Sequence, residues 1–241
     1  MIAKPLSDTI EYFCRENLDL YDGADCKALA TQAAKGRHLR LLPQSKNHTN
    51  NSPNILVQLC EDNYTAWLLD SDQKHLEITT QPYLAPIWSE AQIQAAIPQI
   101  IQFTQVAMAT PNYYLWGGTV SPNYDCSGLM QAAFADAGIW IPRDAYQQEA
   151  FAKPITFNRE QLDFSILLPG DLIFFGTVEK ATHVGLYLGD KKYIHSSGSE
   201  HGRNGIKIDV LSLEGDTCIQ YYFKQLRGAG RIISSYQLLP K

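Results

Sequence analysis

The first third of the chain has the alternating hydrophobic pattern of short β-strands. Residues 17–21 form one predicted strand, and residues 55–60 and 64–68 form a hairpin around Glu61-Asp62-Asn63. Residues 28–34 and 37–42 are two further candidates, whereas residues 44–54 are polar without periodicity and are predicted to be a loop. Short strands joined by irregular loops are typical of a small β-barrel.

A helical pattern follows this β-rich region. Ser89 is a typical N-cap, and isoleucines recur at helical spacing up to about residue 108. Pro98 lies inside this pattern, so we expect it to break or kink the helix. Residues 79–88 contain two prolines and are interpreted as a linker. Residues 81–110 are therefore assigned to a linker and a leading helix.

The second half places helices before strands. An apolar, alanine-rich helix begins at Cys126 and ends near Gly138. Predicted strands then follow at residues 171–175, 183–188, 192–195, 206–211 and 231–234. This order predicts an α+β domain with an antiparallel sheet.

Composition and charge narrow the class of protein. The chain has 241 residues, 45% of them hydrophobic, and a net charge of −5, which argues against nucleic acid as the partner. No run of apolar residues is long enough to predict a membrane span, and the N-terminus lacks the apolar core of a signal peptide. The five cysteines are an odd number without regular spacing, so we expect reduced thiols. Together these features indicate a cytoplasmic location, or a chain from which a leader has been removed.

Cys126 carries the clearest chemical signal. It follows Asp125 and opens a helix, where unpaired backbone N–H groups and the helix dipole favour an anion. Such a position lowers the pKa of a thiol to roughly 3.5–7.5. The sequence therefore predicts a nucleophilic thiolate at neutral pH.

Two histidines on neighbouring predicted strands complete a candidate catalytic set. His183 opens one strand and His195 ends the next, with a turn at Gly189-Asp190 between them. On adjacent antiparallel strands the two imidazoles can lie side by side. His183 would then face the thiol while His195 orients His183, as covalent acyl transfer requires.

Several motifs occur in the order of a known family. They are Tyr114-Leu115-Trp116-Gly117-Gly118, Asp125-Cys126-Ser127-Gly128, Pro142-Arg143-Asp144-Ala145, Leu168-Pro169-Gly170-Asp171-Leu172, His183-Val184-Gly185 and Ile194-His195. Across about residues 95–235 the chain resembles the NlpC-type cell-wall cysteine peptidases, which have a papain-like fold. The N-terminal part is similar to the bacterial SH3-like domains fused to such peptidases. We therefore predict a small SH3-like β-barrel at 1–80, the linker and helix at 81–110, and a papain-like α+β peptidase domain at 111–241.

The resemblance also implies an activity and a set of residues. Cys126 would be the nucleophile, His183 the base and His195 the third polar group. The reaction would be hydrolysis of the γ-D-glutamyl–diamino acid bond of peptidoglycan stem peptides, in a subgroup that requires a free N-terminal L-alanine. No cofactor or metal is implied, and the diamino acid, meso-diaminopimelate or lysine, stays open, as does the oligomeric state.

Substrate-binding roles are implied for six further residues. The γ-D-glutamyl side of the site would be lined by Tyr114, Trp116, Asp125 and Ser127, and the free ammonium would be held by Asp144 and Tyr64. A buried ammonium requires a carboxylate and full hydrogen bonding. Other roles remain open, since Trp116 can be a core residue, Asp125 a helix cap and Tyr64 barrel surface. Glu61 and Asp62 are weaker candidates for the amine site.

Three other functions use the same residues. Amidases and acyltransferases of related folds also employ a Cys–His pair, although the Pro-Arg-Asp-Ala motif and the SH3-like part disfavour them. A non-catalytic cell-wall binder does not require Cys126, His183 and His195 together. A zinc site could use the same three side chains, but the paired ligand spacing of such sites is missing.

Overall fold

The computed structural model describes residues 10–43, 52–157 and 163–237. These residues form two compact units, in the ranges 1–84 and 85–241. The predicted loop at 44–54 falls mainly on residues 44–51, which lie outside the described part. The division places the helix at 90–109 in the second unit.

The first unit is built from antiparallel strands. In its described residues the sheet has seven strands in the order β3-β2-β6-β5-β4-β1-β7. Their bounds are β1 Glu11–Cys14, β2 Leu18–Tyr21, β3 Leu29–Ala33, β4 His38–Leu41, β5 Ile55–Leu59, β6 Thr65–Leu68 and β7 Leu76–Ile78. A 3₁₀ turn, Asp70–His75, precedes β7.

Alternation along these strands explains the core of the first unit. In β2, for example, Leu18 and Leu20 are buried while Asp19 is exposed, as expected for side chains that point to opposite faces. Leu39, Val57, Leu59 and Leu68 complete a fully buried cluster. The predicted strands of this unit are confirmed, and β1 and β7 are additional.

The second unit combines four helices with a sheet in its described residues. The helices are α1 Glu90–Ala109, α2 Cys126–Asp136, α3 Ala145–Phe151 and α4 Thr217–Lys224. A two-stranded pair comes from β8 Thr119–Val120 and β9 Asn123–Tyr124. The main sheet has the order β10-β15-β11-β12-β13-β14. Its strands are β10 Lys153–Ile155, β11 Leu172–Gly176, β12 Ala181–Gly189, β13 Lys192–Ser197, β14 Gly205–Val210 and β15 Leu226–Arg231.

Both faces of the middle of the main sheet are buried, so β11, β12 and β13 each contribute to two cores. Val184, Leu186 and Ile194 pack with residues of α1 and α2 on one side. Phe175 and Tyr193 pack with residues of α4 on the other. Residues adjacent in sequence therefore reach opposite layers, and the predicted antiparallel α+β class is confirmed.

A break at Pro98 and the position of the last strand were predicted wrongly. Helix α1 runs through Pro98 without a break. The proline lies on the exposed side, where water can bind the carbonyl that loses its intrahelical partner. The last strand occupies Leu226–Arg231, not 231–234. This strand was not predicted because it contains Gly228 and Gly230, and glycine is depleted in strands.

Candidate active site

The start of α2 is shaped by a carboxylate cap and a close backbone approach. Asp125 is the N-cap, and its Oδ1 accepts from the backbone N–H of Gly128 at 2.6 Å. A Cβ at Gly128 would lie 2.0 Å from the carbonyl oxygen of Gly118. The helix start therefore packs directly on the preceding Gly-Gly loop, which places Cys126 at the first helical position.

A buried arginine holds the same cap. Arg143, 2% exposed, donates from Nη2 to Asp125 Oδ2 at 2.5 Å and from Nη1 to Asp125 Oδ1 at 3.1 Å. Arg143 Nη1 also donates to Ser127 Oγ at 3.0 Å, and Gly117 N–H donates to Asp125 Oδ2 at 2.9 Å. Both carboxylate oxygens of Asp125 thus have protein partners. Asp125 and Ser127 thus fix the helix start, and the substrate-lining role that the resemblance implies for them stays a prediction.

The two histidines meet as predicted. His183 Nε2 and His195 Nδ1 are 2.7 Å apart, and both rings are buried. Gly185 makes this contact possible, because a Cβ there would lie 2.7 Å from the Tyr193 ring and 3.2 Å from the Cβ of His195. The His-Val-Gly sequence therefore opens space for His195 next to His183.

An aromatic residue of α4 fixes the plane of the His183 ring. Tyr222 stacks on His183 with a centroid distance of 4.2 Å and an interplanar angle of 24°. The Tyr222 hydroxyl is 2.7 Å from Ser197 Oγ, which anchors the ring. Sequence reasoning missed Tyr222, because only the packing of α4 on the sheet brings it to the histidines.

The thiol lies beside the strand that carries His183. Cys126, 6% exposed, lies close enough to the backbone N–H of Val184, the residue that follows His183, for this group to lower the pKa of the thiol. The backbone N–H of Ser127 acts in the same direction. The nucleophile and the base predicted from sequence are therefore brought to the same place by α2 and β12.

The expected thiolate at neutral pH was wrong. Burial raises the pKa of Cys126 to about 12, and the nearby charge of Asp125 adds to this, against the lowering effect of the Val184 and Ser127 N–H groups and of Arg143. Burial, then the charges of His195 and His201, hold the pKa of His183 well below its usual value. The thiol and the imidazole are thus both neutral around pH 7, because burial outweighs the helix dipole.

Three predicted substrate-binding residues lie in the second unit with parts of their side chains accessible. Burial raises the pKa of Tyr114, and the charge of Cys126 adds to it, which places this hydroxyl in the field of the thiol. Trp116 is 69% exposed, so it is not a core residue. Asp144 is half-buried and is the N-cap of α3, with its own N–H donating to Gln147 Oε1 at 3.1 Å.

The candidates in the first unit are Tyr64, Glu61 and Asp62. Tyr64 is half-buried, directly before β6, and its role in substrate binding stays a prediction. Glu61 and Asp62 are buried and form ion pairs with Arg37, at 3.2 Å from Nε and 3.0 Å from Nη2 respectively. We interpret these two carboxylates as structural.

Sequence reasoning also missed Asp209. Its Oδ2 is 3.0 Å from His195 Nε2, and Arg203 donates to both of its oxygens. The only signal was an aspartate inside the apolar alternation of β14, where aspartate is disfavoured. The register that pairs Tyr193 with Asp209 puts it on the face of β13 that carries His195.

No group of three His, Cys, Asp or Glu side chains among the described residues is arranged as metal ligands would be. Within the same residues we find no helix of the length and apolarity that crossing a membrane demands. All five cysteines lie in the described part of the chain and are free thiols.

Comparison with protein families gives two matches. Residues 111–227 match the NlpC/P60 family, and residues 20–72 match the bacterial dipeptidyl-peptidase SH3 domain. The chain is 36% identical over 169 residues to dipeptidyl-peptidase 6 of Lysinibacillus sphaericus, covering 69% of this chain and 51% of that protein. It is 34% identical over 126 residues to the γ-D-glutamyl-L-lysine dipeptidyl-peptidase of Bacillus subtilis, covering 51% and 38% respectively. The chain thus spans about half or less of the length of these relatives.

Among solved structures, the chain is similar to an NlpC/P60 family protein from Bacillus cereus. The TM-score is 0.46 at 22% identity, and the superposition covers 94% of this chain and 64% of that one.

Proposed function

Because the chain carries an NlpC/P60 domain preceded by a bacterial dipeptidyl-peptidase SH3 domain, we propose that it is a cysteine peptidase of peptidoglycan stem peptides. The bond cleaved is the amide between the γ-carbonyl of D-glutamate and a diamino acid, meso-diaminopimelate in the first instance. The substrate is a stem peptide with a free N-terminal L-alanine. Support for the bond and for the free amine comes from the two relatives named as dipeptidyl-peptidases.

The observation that carries the proposal is the convergence of three side chains from α2, β12 and β13. Cys126 lies against the backbone of Val184, and His183 is hydrogen-bonded to His195 at 2.7 Å. A buried thiol, a base and an orienting group are the components of covalent acyl transfer. A domain that only bound cell wall would have no use for this arrangement.

The mechanism follows from the neutral state of the pair. His183 removes the proton from Cys126 as the sulfur attacks the γ-carbonyl of D-glutamate, so no free thiolate has to exist beforehand. The backbone N–H of Cys126, at the start of α2, is the candidate donor to the oxyanion. His183 then gives its proton to the leaving amine, and water hydrolyses the thioester with His183 as base.

Asp144 is the proposed partner of the substrate ammonium. It is a half-buried carboxylate in the Pro-Arg-Asp-Ala motif, next to the buried Arg143. N-acetylation of the substrate would remove the positive charge and leave the carboxylate without it, which costs on the order of 2–5 kcal/mol. Such a loss corresponds to a rate lower by roughly 30- to several-thousand-fold.

The requirement for a free amine also suggests where the enzyme acts. The L-alanine of intact peptidoglycan is amide-linked to muramic acid, so it becomes free only after an amidase has released the stem peptide. We therefore propose a role in recycling released peptides in the cytoplasm.

Mass spectrometry of reaction products tests the proposal. The substrates are L-Ala-γ-D-Glu-meso-diaminopimelate and its lysine counterpart, each with a free and with an acetylated N-terminus. We expect L-Ala-γ-D-Glu and the free diamino acid from the free-amine peptides only. Asp144→Asn keeps a good N-cap for α3 while removing the charge. This variant should therefore reduce the difference in cleavage rate between the free and the acetylated peptides.

Other products would identify the alternatives. Equal cleavage of free and acetylated peptides by the wild type would refute the free-amine requirement. Release of the stem peptide from N-acetylmuramoyl-L-alanine would instead indicate an amidase. Binding of muropeptides without cleavage of any of these substrates would indicate a wall-binding protein.

A further inference from the structure

We propose that Asp209, held by Arg203, is a positioning residue that fixes the tautomers of both histidines and so selects the nitrogen of His183 that acts as the base. The proposal rests on the cysteine-peptidase function proposed above. It extends the site from three residues to five, in which His183, His195, Asp209 and Arg203 form a continuous chain of hydrogen bonds.

The geometry of this chain is continuous from the histidines to the arginine. His183 Nε2 is 2.7 Å from His195 Nδ1, and His195 Nε2 is 3.0 Å from Asp209 Oδ2. Arg203 Nη2 donates to Asp209 Oδ1 at 2.7 Å, and Arg203 Nε donates to Asp209 Oδ2 at 3.0 Å. Both histidines and Asp209 are buried, so each proton in the chain has a defined partner.

The charge of Asp209 sets the direction of every hydrogen bond in the chain. Burial alone would raise the pKa of Asp209, but hydrogen bonds from His195 and Arg203 lower it to about 2, so the group is a carboxylate. A carboxylate can only accept, and the proton of the bond therefore lies on His195 Nε2. Burial holds the pKa of His195 below its usual value, so the ring is neutral and its Nδ1 is an acceptor.

The tautomer of His195 in turn determines the tautomer of His183. Because His195 Nδ1 accepts, the proton between the two rings lies on His183 Nε2. His183 is also neutral, so its Nδ1 keeps the lone pair. In the reaction the Sγ–H bond of Cys126 breaks and the Nδ1–H bond of His183 forms, while the imidazolium still donates Nε2–H to His195. The proton later passes from Nδ1 to the leaving amine.

Other ionisable groups face this chain. Asp216 binds the far side of Arg203 at 2.8 Å, and Cys218 Sγ is 3.7 Å from Asp209 Oδ2. The charge of Asp209 contributes, after burial, to the raised pKa of Tyr193. His201 and Tyr222 contact one another and Tyr222 stacks on His183. Of these, Asp209 is the group hydrogen-bonded to His195, which makes it the one that orders the protons.

Replacing Asp209 by Asn should reverse both tautomers without changing the shape of the site. Arg203 donates to this side chain, so the amide oxygen of Asn would turn toward Arg203 and the amide NH₂ toward His195 Nε2. His195 Nε2 must then accept, its proton moves to Nδ1, and His183 Nε2 must accept from it. His183 would carry its remaining proton on Nδ1, where the base is needed.

Imidazole ¹⁵N NMR spectra of the full chain test this directly. In the wild type we expect the Nε2–H tautomer for His183 and for His195 around pH 7, and in Asp209→Asn the Nδ1–H tautomer for both. The matched control is Asp171→Asn, which alters another buried carboxylate bound by an arginine, Arg231, at 2.7 and 2.9 Å. Asp171→Asn should lower stability about as much as Asp209→Asn does, but it should leave the tautomers of His183 and His195 unchanged.

Kinetics supply the second readout. A catalytic histidine in the wrong tautomer lowers kcat by about 10⁴-fold in a serine protease, and we expect a loss of that order in kcat for Asp209→Asn with KM little changed.

Several results would overturn the proposal. An Nδ1–H tautomer of His195 in the wild type would do so, even if Asp209→Asn did not fold. A folded Asp209→Asn with wild-type tautomers or wild-type kcat would do so as well. The spectra require no substrate, so predicted tautomers without peptidase activity would refute the proposed function and the choice of base, whereas wrong tautomers in an active enzyme would refute only the role of Asp209.

Discussion

Two clusters of an arginine with buried carboxylates, one in each unit, look alike but contact different groups. In the first unit Arg37 lies between Glu61 and Asp62, and Glu61 Oε1 also accepts from the backbone N–H of His38 at 2.6 Å. In the second unit Arg203 holds Asp209, whose Oδ2 continues to the ring of His195. Glu61 of the first cluster binds a backbone amide, whereas Asp209 of the second binds a titratable ring.

This difference separates a structural role from a functional one. A buried ion pair by itself is weak support for either stability or function. The role of each carboxylate depends on the group that it binds. A carboxylate bound to a backbone N–H, as in Glu61, holds the main chain in place. A carboxylate bound to a histidine, as in Asp209, also sets the protonation of that ring and of the ring next to it. The two clusters therefore predict opposite outcomes for mutation, which the following experiments separate.

The largest expected effect is loss of the nucleophile. Cys126→Ala should lower turnover by about 10⁶-fold, as removal of a catalytic nucleophile does elsewhere, since nothing else in the site can form the acyl-enzyme. The matched control is Cys60→Ala, which removes a buried thiol of the first unit and should leave kcat within a small factor. Steady-state hydrolysis of the free-amine peptide measures both. Retained activity in Cys126→Ala would remove the basis of the mechanism.

The two histidines should differ in importance. His183→Ala is expected to resemble Cys126→Ala, because it removes the base. His195→Ala should leave measurable activity, since it removes only orientation, and His195→Gln should recover part of the loss by supplying a hydrogen-bond acceptor for His183 Nε2. Near-normal kcat in His183→Ala would show that another group is the base.

Mutation of the arginine cluster in the first unit should lower the stability of that unit. Arg37→Met leaves Glu61 and Asp62 buried without their cation and should destabilise that unit by about 3–5 kcal/mol. Arg15→Met is the control, since the pair of Arg15 with Glu77 is exposed at 3.6 Å, and its loss should change stability by less than about 1 kcal/mol. Urea unfolding followed by tryptophan fluorescence measures both. Similar midpoints for the two variants would contradict the structural role of Arg37.

The features that depend on local sequence pattern could be predicted from the sequence. The helix start at Cys126, the hairpin that carries His183 and His195, and most strands follow from alternation, capping and turns. Arg143, Asp209 and Tyr222 could not be found in this way, because their roles arise from contacts between elements distant in the chain. The thiol pKa was also wrong, since burial is a property of packing and not of the helix start.

The smallest expected effect concerns the protonation of the thiol. With a pKa of about 12 for Cys126, the thiolate fraction rises with pH, so alkylation by iodoacetamide should accelerate about tenfold per pH unit across the neutral range. Peptide mapping by mass spectrometry follows Cys126 separately from the half-exposed Cys26. If the alkylation rate of Cys126 is already constant below about pH 7, the thiol is ionised there, and the thiolate predicted from the helix start would be correct.

The central claim, that Cys126 attacks the γ-carbonyl of D-glutamate, is tested most directly by an affinity label. L-Ala-γ-D-Glu with a diazomethyl ketone in place of the scissile amide puts a reactive diazo carbon next to the γ-carbonyl. The diazo carbon takes up the thiol proton and bonds to the sulfur while N₂ leaves, which gives a stable thioether. Peptide mapping should locate one label per chain on Cys126, with substrate protecting it and with Cys126→Ala unlabelled. Labelling of another cysteine, or inactivation without a label on Cys126, would contradict the account.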